Sequence, residues 1–287
     1  MKIRVPATSA NLGPGFDSCG LALDRYLVVE LVQPSEQWLV EHQLGSEVPN
    51  DEENLLIQTA LQIAPELPPW QIRMTSDIPL ARGLGSSSSV IVAGIELANR
   101  LGQLNLTSLE KLKIATKIEG HPDNVAPAIL GDLVIAAKID DQVEAVKHWF
   151  PKCTLIAFIP AHELLTKESR NVLPESLTYR QAVEASSIAN VMIAALVRGD
   201  LVLAGKMMEN DRWHENYRKD LVPHLDLIRQ VCHEEKGYGC YLSGAGPTVL
   251  IMAPEEQGET IYKLLVALDP KAKVEILQVD REGVQVF

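Results

Sequence analysis

A glycine- and serine-rich stretch at residues 79–89, Pro-Leu-Ala-Arg-Gly-Leu-Gly-Ser-Ser-Ser-Ser, most constrains how this chain can fold. The segment before it, residues 70–76 (WQIRMTS), alternates apolar and polar residues as a β-strand does. After it, small or apolar residues recur at helical spacing, at Val90, Gly94, Leu97 and Leu101. The order is therefore strand, glycine-rich loop, and a helix that begins among the serines. Glycine permits close backbone approach and a helix N-terminus attracts anions, so this order favours a phosphate-binding loop.

A flexible linker and an ordinary serine-capped helix are the two other interpretations of this stretch. A linker would not lead directly into a helix of small apolar residues, which weakens the first of them. The stretch is not a Walker A loop, because no Gly-Lys-Ser/Thr follows, and it is not the dinucleotide-binding fingerprint. Its serine hydroxyls could add hydrogen-bond donors or a ligand for magnesium.

The composition is that of a globular protein with an acidic surface. The chain has 287 residues, enough for one large domain or two closely packed ones, and 46% of them are hydrophobic. Its formal net charge of −12 argues against nucleic acid as the main partner, although a local basic pocket could still bind an anion. The four cysteines form no Cys-x-x-Cys pair, which favours reduced structural thiols. With no signal-peptide pattern and no membrane-spanning apolar run, we expect a cytoplasmic protein without a membrane partner.

Two further loops are rich in glycine. Residues 6–17 (PATSANLGPGFD) follow a predicted strand at residues 2–6, and this loop is long and polar for a turn. Long loops with many polar groups are often binding loops, which slightly favours binding over a hairpin-like turn. Residues 242–248 (LSGAGPT) join two predicted strands and would be unremarkable as a hairpin turn on their own.

A polar cluster at residues 119–124, Glu-Gly-His-Pro-Asp-Asn, closes the helix predicted over residues 109–118. Capping or surface exposure would explain each of its residues alone, whereas two carboxylates, an imidazole and an amide beside a phosphate loop also have a chemical interpretation. Asn54, in the first turn of a helix predicted over residues 53–64, is locally explained as a cap or a solvated side chain.

The pattern of elements restarts near residues 149–151, which predicts two domains at 1–150 and 151–287. In the second half the predicted order is strand, helices, strand, strand, helix, strand, as in ferredoxin-like domains. The chain is therefore predicted to belong to the α+β class.

The three glycine-rich loops, in this order, resemble the motifs of the GHMP kinase superfamily. Within it, residues 8–17 (TSANLGPGFD) and 121–132 (HPDNVAPAILGD) are similar to the homoserine kinase family. The resemblance implies a two-domain GHMP kinase fold, with an N-terminal domain like ribosomal protein S5 domain 2 and a ferredoxin-like C-terminal domain. Mevalonate-type relatives carry a lysine in the first motif, and none lies between Lys2 and Asp17. Asp132 stands where a second glycine is usual, and Glu119 lies closer to His121 than the family's acidic residue does.

The activity that this resemblance implies is transfer of the ATP γ-phosphate to the hydroxyl of L-homoserine. The product would be O-phospho-L-homoserine, on the route to threonine, with Mg²⁺ as the metal and a homodimer as the expected assembly. Feedback by threonine, which is chemically similar to the substrate, is a further hypothesis. The rivals are another GHMP kinase acting on mevalonate or a sugar, a non-catalytic ligand sensor, and a generic phosphate-binding protein.

The resemblance also implies which residues bind the nucleotide and the metal. Those assigned to ATP are Pro79, Arg82, Gly83, Leu84, Gly85, Ser86, Ser87, Ser88, Ser89 and, near the adenine, Asn54. Mg²⁺ is assigned to Glu119 and Ser87, with Ser86 as the alternative serine, because this hard cation takes oxygen ligands.

For the zwitterionic substrate, the resemblance assigns the ammonium group to Asp17, with Asn11 beside it. The carboxylate end is assigned to Thr166, Arg170 and Arg218, since the planar guanidinium binds a carboxylate bidentately. Gly244 of the third loop completes this set. Without the family, surface salt bridges would be the preferred explanation of both arginines.

The residues assigned to the reacting hydroxyl are His121, Asp123 and Asn124, with Arg170 as the fourth catalytic residue. Asp123 could accept the proton or serve as a structural acceptor, and these alternatives stay open. Our hypothesis is that Asn124 and the metal orient the hydroxyl and that no side chain deprotonates it.

Overall fold

Two β-sheets and the helices that cover them form the structure, a computed structural model that describes all residues, 1–287. The strands are β1 (Lys2–Ala10), β2 (Cys19–Pro34), β3 (Leu39–Glu41), β4 (Trp70–Ser76), β5 (Leu133–Ile139), β6 (Gln142–His148), β7 (Thr154–Ile159), β8 (Gly239–Leu242), β9 (Val249–Ala253), β10 (Lys273–Leu277) and β11 (Gln285–Val286). The helices are α1 (Leu55–Ile63), α2 (Ser86–Leu101), α3 (Ser108–Glu119), α4 (Val125–Leu130), α5 (Thr166–Asn171), α6 (Tyr179–Arg198), α7 (Leu201–Met208), α8 (Glu215–Arg218), α9 (Leu225–Glu234) and α10 (Glu255–Leu268). No helix is both long and apolar enough to cross a membrane.

The first sheet has seven strands in the order β11-β1-β2-β4-β3, with β5 joining β2 to β6. Its strand β4 shows the predicted alternation, because Ile72 and Met74 are buried while Arg73 and Thr75 are exposed. Helices α1 to α4 cover this sheet and share a hydrophobic core with it. Burial of this apolar face is the main stabilising contribution to the sheet and its helices.

The second sheet is antiparallel throughout, in the order β10-β7-β9-β8. Numbered within this unit, the order is 4-1-3-2, and the chain order of strands and helices is the predicted ferredoxin-like one. The α+β class and the two-unit architecture predicted from the sequence are therefore confirmed. The second sheet has its own smaller core, formed with α9 and α10.

The end of the chain departs from the predicted domain division. A boundary at residue 150 falls between β6 and β7, as expected, but β11 returns to the first sheet and pairs antiparallel with β1. Asp280 accepts a hydrogen bond from Tyr26 at 2.9 Å, and Arg281 pairs with Asp132. Residues after Leu277 thus belong with the first sheet, so the range 151–287 is wrong at its C-terminal end. A two-residue strand carries too little pattern to be found by alternation.

Several predicted elements also differ at their ends. Strand β1 continues to Ala10, so the first loop is shorter than predicted. The helix expected from residue 177 begins at Tyr179, because Thr178 and Gln181 form a capping box there. A short helix, α5, lies in the polar segment after residue 165, and strand β6 was not predicted at all.

Candidate active site

The three glycine-rich loops meet where the two halves of the chain contact each other. The hydroxyl of Ser243 in the third loop donates to the carbonyl of Gly83 in the second at 2.7 Å. The amide of Gly244 donates to the carbonyl of Ala10 at the end of β1, at 3.1 Å. Loops that would be ordinary turns on their own therefore form one hydrogen-bonded unit across the two halves of the chain.

Glycine is required in the second loop because the other loops approach its backbone closely. Gly83 and Gly85 have φ angles of +75° and +71°, in the left-handed region that side chains disfavour. A Cβ on Gly83 would lie 2.3 Å from the carbonyl oxygen of Ser243, and one on Gly85 would lie 2.0 Å from Oγ1 of Thr8. Neither position has room for a side chain.

Helix α2 begins at Ser86, and Gly85 before it is left-handed and provides no side-chain cap. The amides of Ser86, Ser87 and Ser88 therefore have no acceptor within the helix. These three serines line a cavity of about 220 Å³ that residues of both halves of the chain enclose. Uncapped amides and the positive end of the helix dipole make this end of the cavity suited to an anion such as a phosphate.

The serine that contacts Glu119 is Ser88. The assignment of Ser87, or Ser86, to Mg²⁺ beside Glu119 stays a prediction. Ser88 Oγ donates to Oε1 of Glu119 at 2.9 Å, and no such contact forms from Ser87. Ser89 is buried and its hydroxyl donates back to the carbonyl of Ser86 at 2.8 Å, so its side chain does not line the cavity. Burial raises the pKa of the Glu119 carboxyl, against the lowering effect of the Ser88 hydrogen bond.

Five residues assigned to ATP by resemblance lie outside the lining of this cavity, and Ser89 is one of them. Arg82 donates to the carbonyls of Pro160 and Ala161 at 3.0 and 2.6 Å, and so ties the loop to the second sheet. Leu84 is buried in the core, and Pro79 does not line the cavity either.

Asn54 is the fifth of these residues. It is buried and caps α1, accepting from the amide of Leu56 at 3.0 Å and donating to the carbonyl of Pro49 at 2.6 Å. The structure thus bears out the capping interpretation and not the solvated one. Its assignment to the adenine stays a prediction.

The residues predicted for the substrate line the same cavity: Asn11, Asp17, Thr166, Arg170, Arg218 and Gly244. Arg170 forms two hydrogen bonds to the carboxylate of Asp17, at 2.6 and 3.2 Å. Asn11 donates to the carbonyl of Gly244 at 3.1 Å and accepts from the amide of Asp17 at 3.1 Å. Charges of both signs therefore lie side by side in the lining of the cavity.

Arg218 is a buried cation without a carboxylate partner. It is 2% exposed and donates to the carbonyls of Ser169 and Gly244, at 3.1 and 3.0 Å, and to the ring of His214. It forms no ion pair, and its Nη2 has no hydrogen-bond partner. Burial and, to a smaller extent, the positive charge of Arg170 lower its pKa to about 10, although nearby carboxylates oppose this effect. Such a group favours an incoming anion, since burying an unpaired charge is costly.

The same cavity is also lined by His121, Asp123 and Asn124. Nδ1 of His121 is hydrogen-bonded to Oδ1 of Asp123, and Thr8 Oγ1 donates to Oδ1 of Asn124 at 2.8 Å. Burial opposes the charge on His121, but the hydrogen bond to Asp123 and its negative charge outweigh burial and raise the pKa of the imidazole. Ligand atoms of Asp17, His121 and Asp123 lie within 4.8 Å of one another, so this region could also hold a cation.

Sequence reasoning missed three side chains that shape the site. Phe16 lies under the guanidinium groups of both Arg170 and Arg218, which are 5.4 and 5.6 Å from its ring centroid. Thr8 orients Asn124, as described above. His214 contacts Arg218, and no motif marks it, because its role depends on a contact across the two halves of the chain. Phe16 could have been found, since it stands next to Asp17 within the first loop.

Comparison with known proteins places the chain in a family. The GHMP kinases N terminal domain matches residues 54–132, and the GHMP kinases C terminal domain matches residues 192–265. The chain is 65% identical to a homoserine kinase from Enterococcus faecalis and 58% identical to one from Listeria innocua, over the whole length of both proteins. A solved structure of a homoserine kinase from Cytophaga hutchinsonii is 27% identical, with a TM-score of 0.87 over 100% of this chain and 97% of that one. The chain therefore belongs to the homoserine kinase family of the GHMP kinases.

Proposed function

We propose that this protein transfers the γ-phosphate of ATP to the side-chain hydroxyl of L-homoserine and releases O-phospho-L-homoserine, a step towards threonine. The observation that carries the proposal is that two unlike sets of groups line one cavity. Uncapped amides of α2 form one set, and a buried arginine with an Asp–Arg pair forms the other. This arrangement suits a phosphate donor and a zwitterionic acceptor.

At the nucleotide end, the amides of Ser86, Ser87 and Ser88 would bind phosphate oxygens. Glycine at positions 83 and 85 keeps this loop close to Thr8 and Ser243, and the loop is therefore fixed before ATP arrives. A fixed set of donors reduces the reorganisation needed during phosphoryl transfer.

At the acceptor end, Asp17 would bind the ammonium group, and Arg218 and Arg170 would bind the carboxylate. The Asp17–Arg170 pair presents its charges to the same cavity. Nε and Nη1 of Arg218 make three hydrogen bonds that hold its guanidinium in place and leave Nη2 free. Binding both charged groups fixes the acceptor chain between them. Positioning of this kind is a large part of catalysis in phosphoryl transfer.

For the reacting hydroxyl, Asn124 is the orienting group we favour. Thr8 holds its Oδ1, and its Nδ2 lies 3.4 Å from Oδ1 of Asp123. Asp123 is 2% exposed and already accepts from His121, which supports a structural role over that of a general base. A fall in kcat of more than about 10⁴-fold in Asp123→Asn, with ATP binding intact, would refute this view.

Magnesium fits the donor set of this site. Glu119 is a buried carboxylate with a raised pKa, and hydroxyl and carboxylate oxygens of Ser88, Ser87 and Asp123 lie in the same cavity. Hard oxygen donors of this kind are those that Mg²⁺ takes. When bound, the ion would neutralise charge on the transferred phosphate.

The deciding experiment is an ADP-release assay with ATP and Mg²⁺ and a panel of acceptors. The panel is L-homoserine, D-homoserine, mevalonate, galactose and no acceptor. We expect turnover with L-homoserine alone, and its loss with EDTA. Turnover with mevalonate or galactose would overturn the proposed acceptor, and ATP binding without any turnover would favour a ligand sensor.

The homodimer is also retained as a proposal, on the family resemblance alone. Sedimentation equilibrium should give twice the mass of the 31.6 kDa chain. The mass of a single chain at micromolar concentration would overturn it.

A further inference from the structure

His214 is a fully buried imidazole with two defined hydrogen-bond partners. It has no exposed surface and does not line the cavity. Its Nε2 lies 3.0 Å from the carbonyl oxygen of Gly13, and its Nδ1 lies 3.0 Å from Nη1 of Arg218. Its ring stacks on Phe16, with centroids 5.2 Å apart and an interplanar angle of 26°. The residue thus links the first loop to the arginine of the second half of the chain.

The chemistry of the partners fixes the tautomer of this ring. A carbonyl oxygen can only accept, so Nε2 must carry the hydrogen that it donates to Gly13. A guanidinium can only donate, so Nδ1 must offer its lone pair to Arg218. Both conditions hold only for the neutral imidazole with the proton on Nε2.

Asp211 does not compete for this ring. Its Oδ2 is 3.8 Å from Nε2 of His214, beyond hydrogen-bonding distance. That oxygen already accepts from the amides of His214 and Glu215, at 2.8 and 2.7 Å. The carboxylate therefore fixes the backbone at the start of α8 and leaves the imidazole to its other two partners.

We propose that His214 is a positioning residue whose Nδ1 sets the direction of the Arg218 guanidinium, and through it the preference for an acceptor that carries a carboxylate. His214 is the only side chain that accepts a hydrogen bond from Arg218, whose other acceptors are backbone carbonyls. The inference rests on the proposed function, because it assumes that Arg218 binds the carboxylate of the acceptor.

Two features make the direction of this guanidinium depend on the imidazole. Arg218 has no carboxylate partner in the protein, so only hydrogen bonds and packing orient it. Phe16, on which its guanidinium lies, is itself stacked against His214. Removing the Nδ1 acceptor would leave a buried donor unpaired and let the guanidinium turn from the cavity.

Two substitutions separate the two ring nitrogens. In His214→Asn, the side-chain oxygen takes the place of Nδ1, and the contact with Gly13 is lost. In His214→Gln, the side-chain amide reaches the place of Nε2 and keeps the donor to Gly13, but no acceptor remains for Arg218. Both variants lose the stack on Phe16, and only His214→Asn also loses the donor to Gly13. A lower ratio in His214→Gln than in His214→Asn therefore reports the missing acceptor rather than the contact with Gly13.

The measured quantity is the ratio of kcat/KM for L-homoserine to that for L-homoserinol, in which a hydroxymethyl group replaces the carboxylate. This ratio does not depend on the fraction of active enzyme. We expect His214→Gln to lower it by about 10- to 100-fold through KM for L-homoserine, while KM for ATP stays unchanged. His214→Asn should keep most of the wild-type ratio.

The outcomes separate this inference from the proposed function. Wild-type enzyme without L-homoserine turnover would overturn the function and the inference together. Wild-type turnover with equal ratios in all three proteins, or equal losses in both variants, would overturn the inference alone. Should His214→Gln not accumulate as folded protein, His214→Phe, which keeps a ring beside Phe16 but offers no acceptor to Arg218, is measured instead, and an unchanged ratio there overturns the inference.

Discussion

Arg170 on helix α5 and Asp17 in the loop after β1 form a two-bond ion pair across the two halves of the chain, at 2.6 and 3.2 Å. Their side chains are 36% and 35% exposed, so the pair itself stabilises the fold only weakly. Its more important effect is to hold opposite charges side by side in the cavity. An amino acid carries the complementary charges, and each of its ends can therefore find a partner here.

The charge of Asp17 is the first target. Asp17→Asn keeps the size of the side chain and removes the partner that we propose for the substrate ammonium. A charge-assisted hydrogen bond is worth about 1.5–3 kcal/mol, so kcat/KM for L-homoserine should fall by about 10- to 100-fold. Steady-state kinetics check this, with KM for ATP as the control. An unchanged KM for L-homoserine would contradict the assignment.

The close contact at Gly85 gives a second prediction. Gly85→Ala places a Cβ 2.0 Å from Oγ1 of Thr8, whereas Gly199, with a φ of +79°, has nothing within 4 Å. Gly199→Ala should therefore lower the free energy of unfolding only by the about 1–2 kcal/mol that a left-handed backbone costs a residue with a side chain. Gly85→Ala should lose at least about 1 kcal/mol more in urea unfolding and weaken ATP binding, because Thr8 must move. Equal losses in the two variants would show that the loops are not packed this closely.

The sequence allowed much of the site to be predicted because its residues lie in short local motifs. The loop before α2, the cluster from Glu119 to Asn124 and the loop around Asp17 each show their chemistry within about ten residues. Their convergence in one cavity could be inferred only through the family resemblance. Glycine spacing shows that a backbone is approached closely, but not which segment approaches it.

The features that escaped prediction depend on contacts between distant segments. His214 contacts Gly13 from 201 residues away, and nothing in its local sequence distinguishes it from a surface histidine. Strand β11 has only two residues and joins a sheet whose other strands lie far earlier in the chain. Asn54 shows the opposite case, since capping was one of its two local interpretations and the structure bears it out.

Glu119 gives a third prediction, on the metal. Glu119→Gln can still accept from Ser88, so it removes charge and little else. We expect kcat to fall by about 100-fold or more, with half-maximal activity at a higher Mg²⁺ concentration. A magnesium titration of activity checks this, with Ser87→Ala and Ser88→Ala measured beside it. An unchanged magnesium dependence would exclude Glu119 from the metal site.

Asp132 gives a fourth prediction, on stability. It is 2% exposed, pairs with Arg281, and accepts from the amide of Phe150 at 2.8 Å, so it anchors the returning end of the chain. Asp132→Asn keeps an acceptor and removes the charge from a largely buried pair, which should cost about 2 kcal/mol in urea unfolding. Glu255→Gln is the matched control, since its pair with Lys152 is exposed and should change stability by less than about 0.5 kcal/mol. Equal changes in the free energy of unfolding for Asp132→Asn and Glu255→Gln would mean that the Asp132–Arg281 pair does not stabilise the returning end of the chain.

The last prediction concerns the pH dependence of stability at His224. Burial lowers the pKa of this imidazole below its ordinary value of 6.5, and the charge of His162 lowers it further. The hydrogen bond to the carbonyl of Pro247, at 2.8 Å, and the charge of Asp269 oppose this effect without reversing it.

The sign follows from proton binding. Below pH 6.5 the unfolded chain binds a proton at this position more readily than the native protein does, so stability falls as the pH falls. The stability that the neutral His224 imidazole contributes is fully present above pH 6.5 and is lost as the pH drops towards the pKa of the native protein. His224→Gln cannot titrate, and the stability of the wild type relative to this variant should therefore decrease between about pH 7.5 and pH 5. Urea unfolding of both proteins across this range measures the difference, and a difference independent of pH would mean that burial does not perturb this histidine.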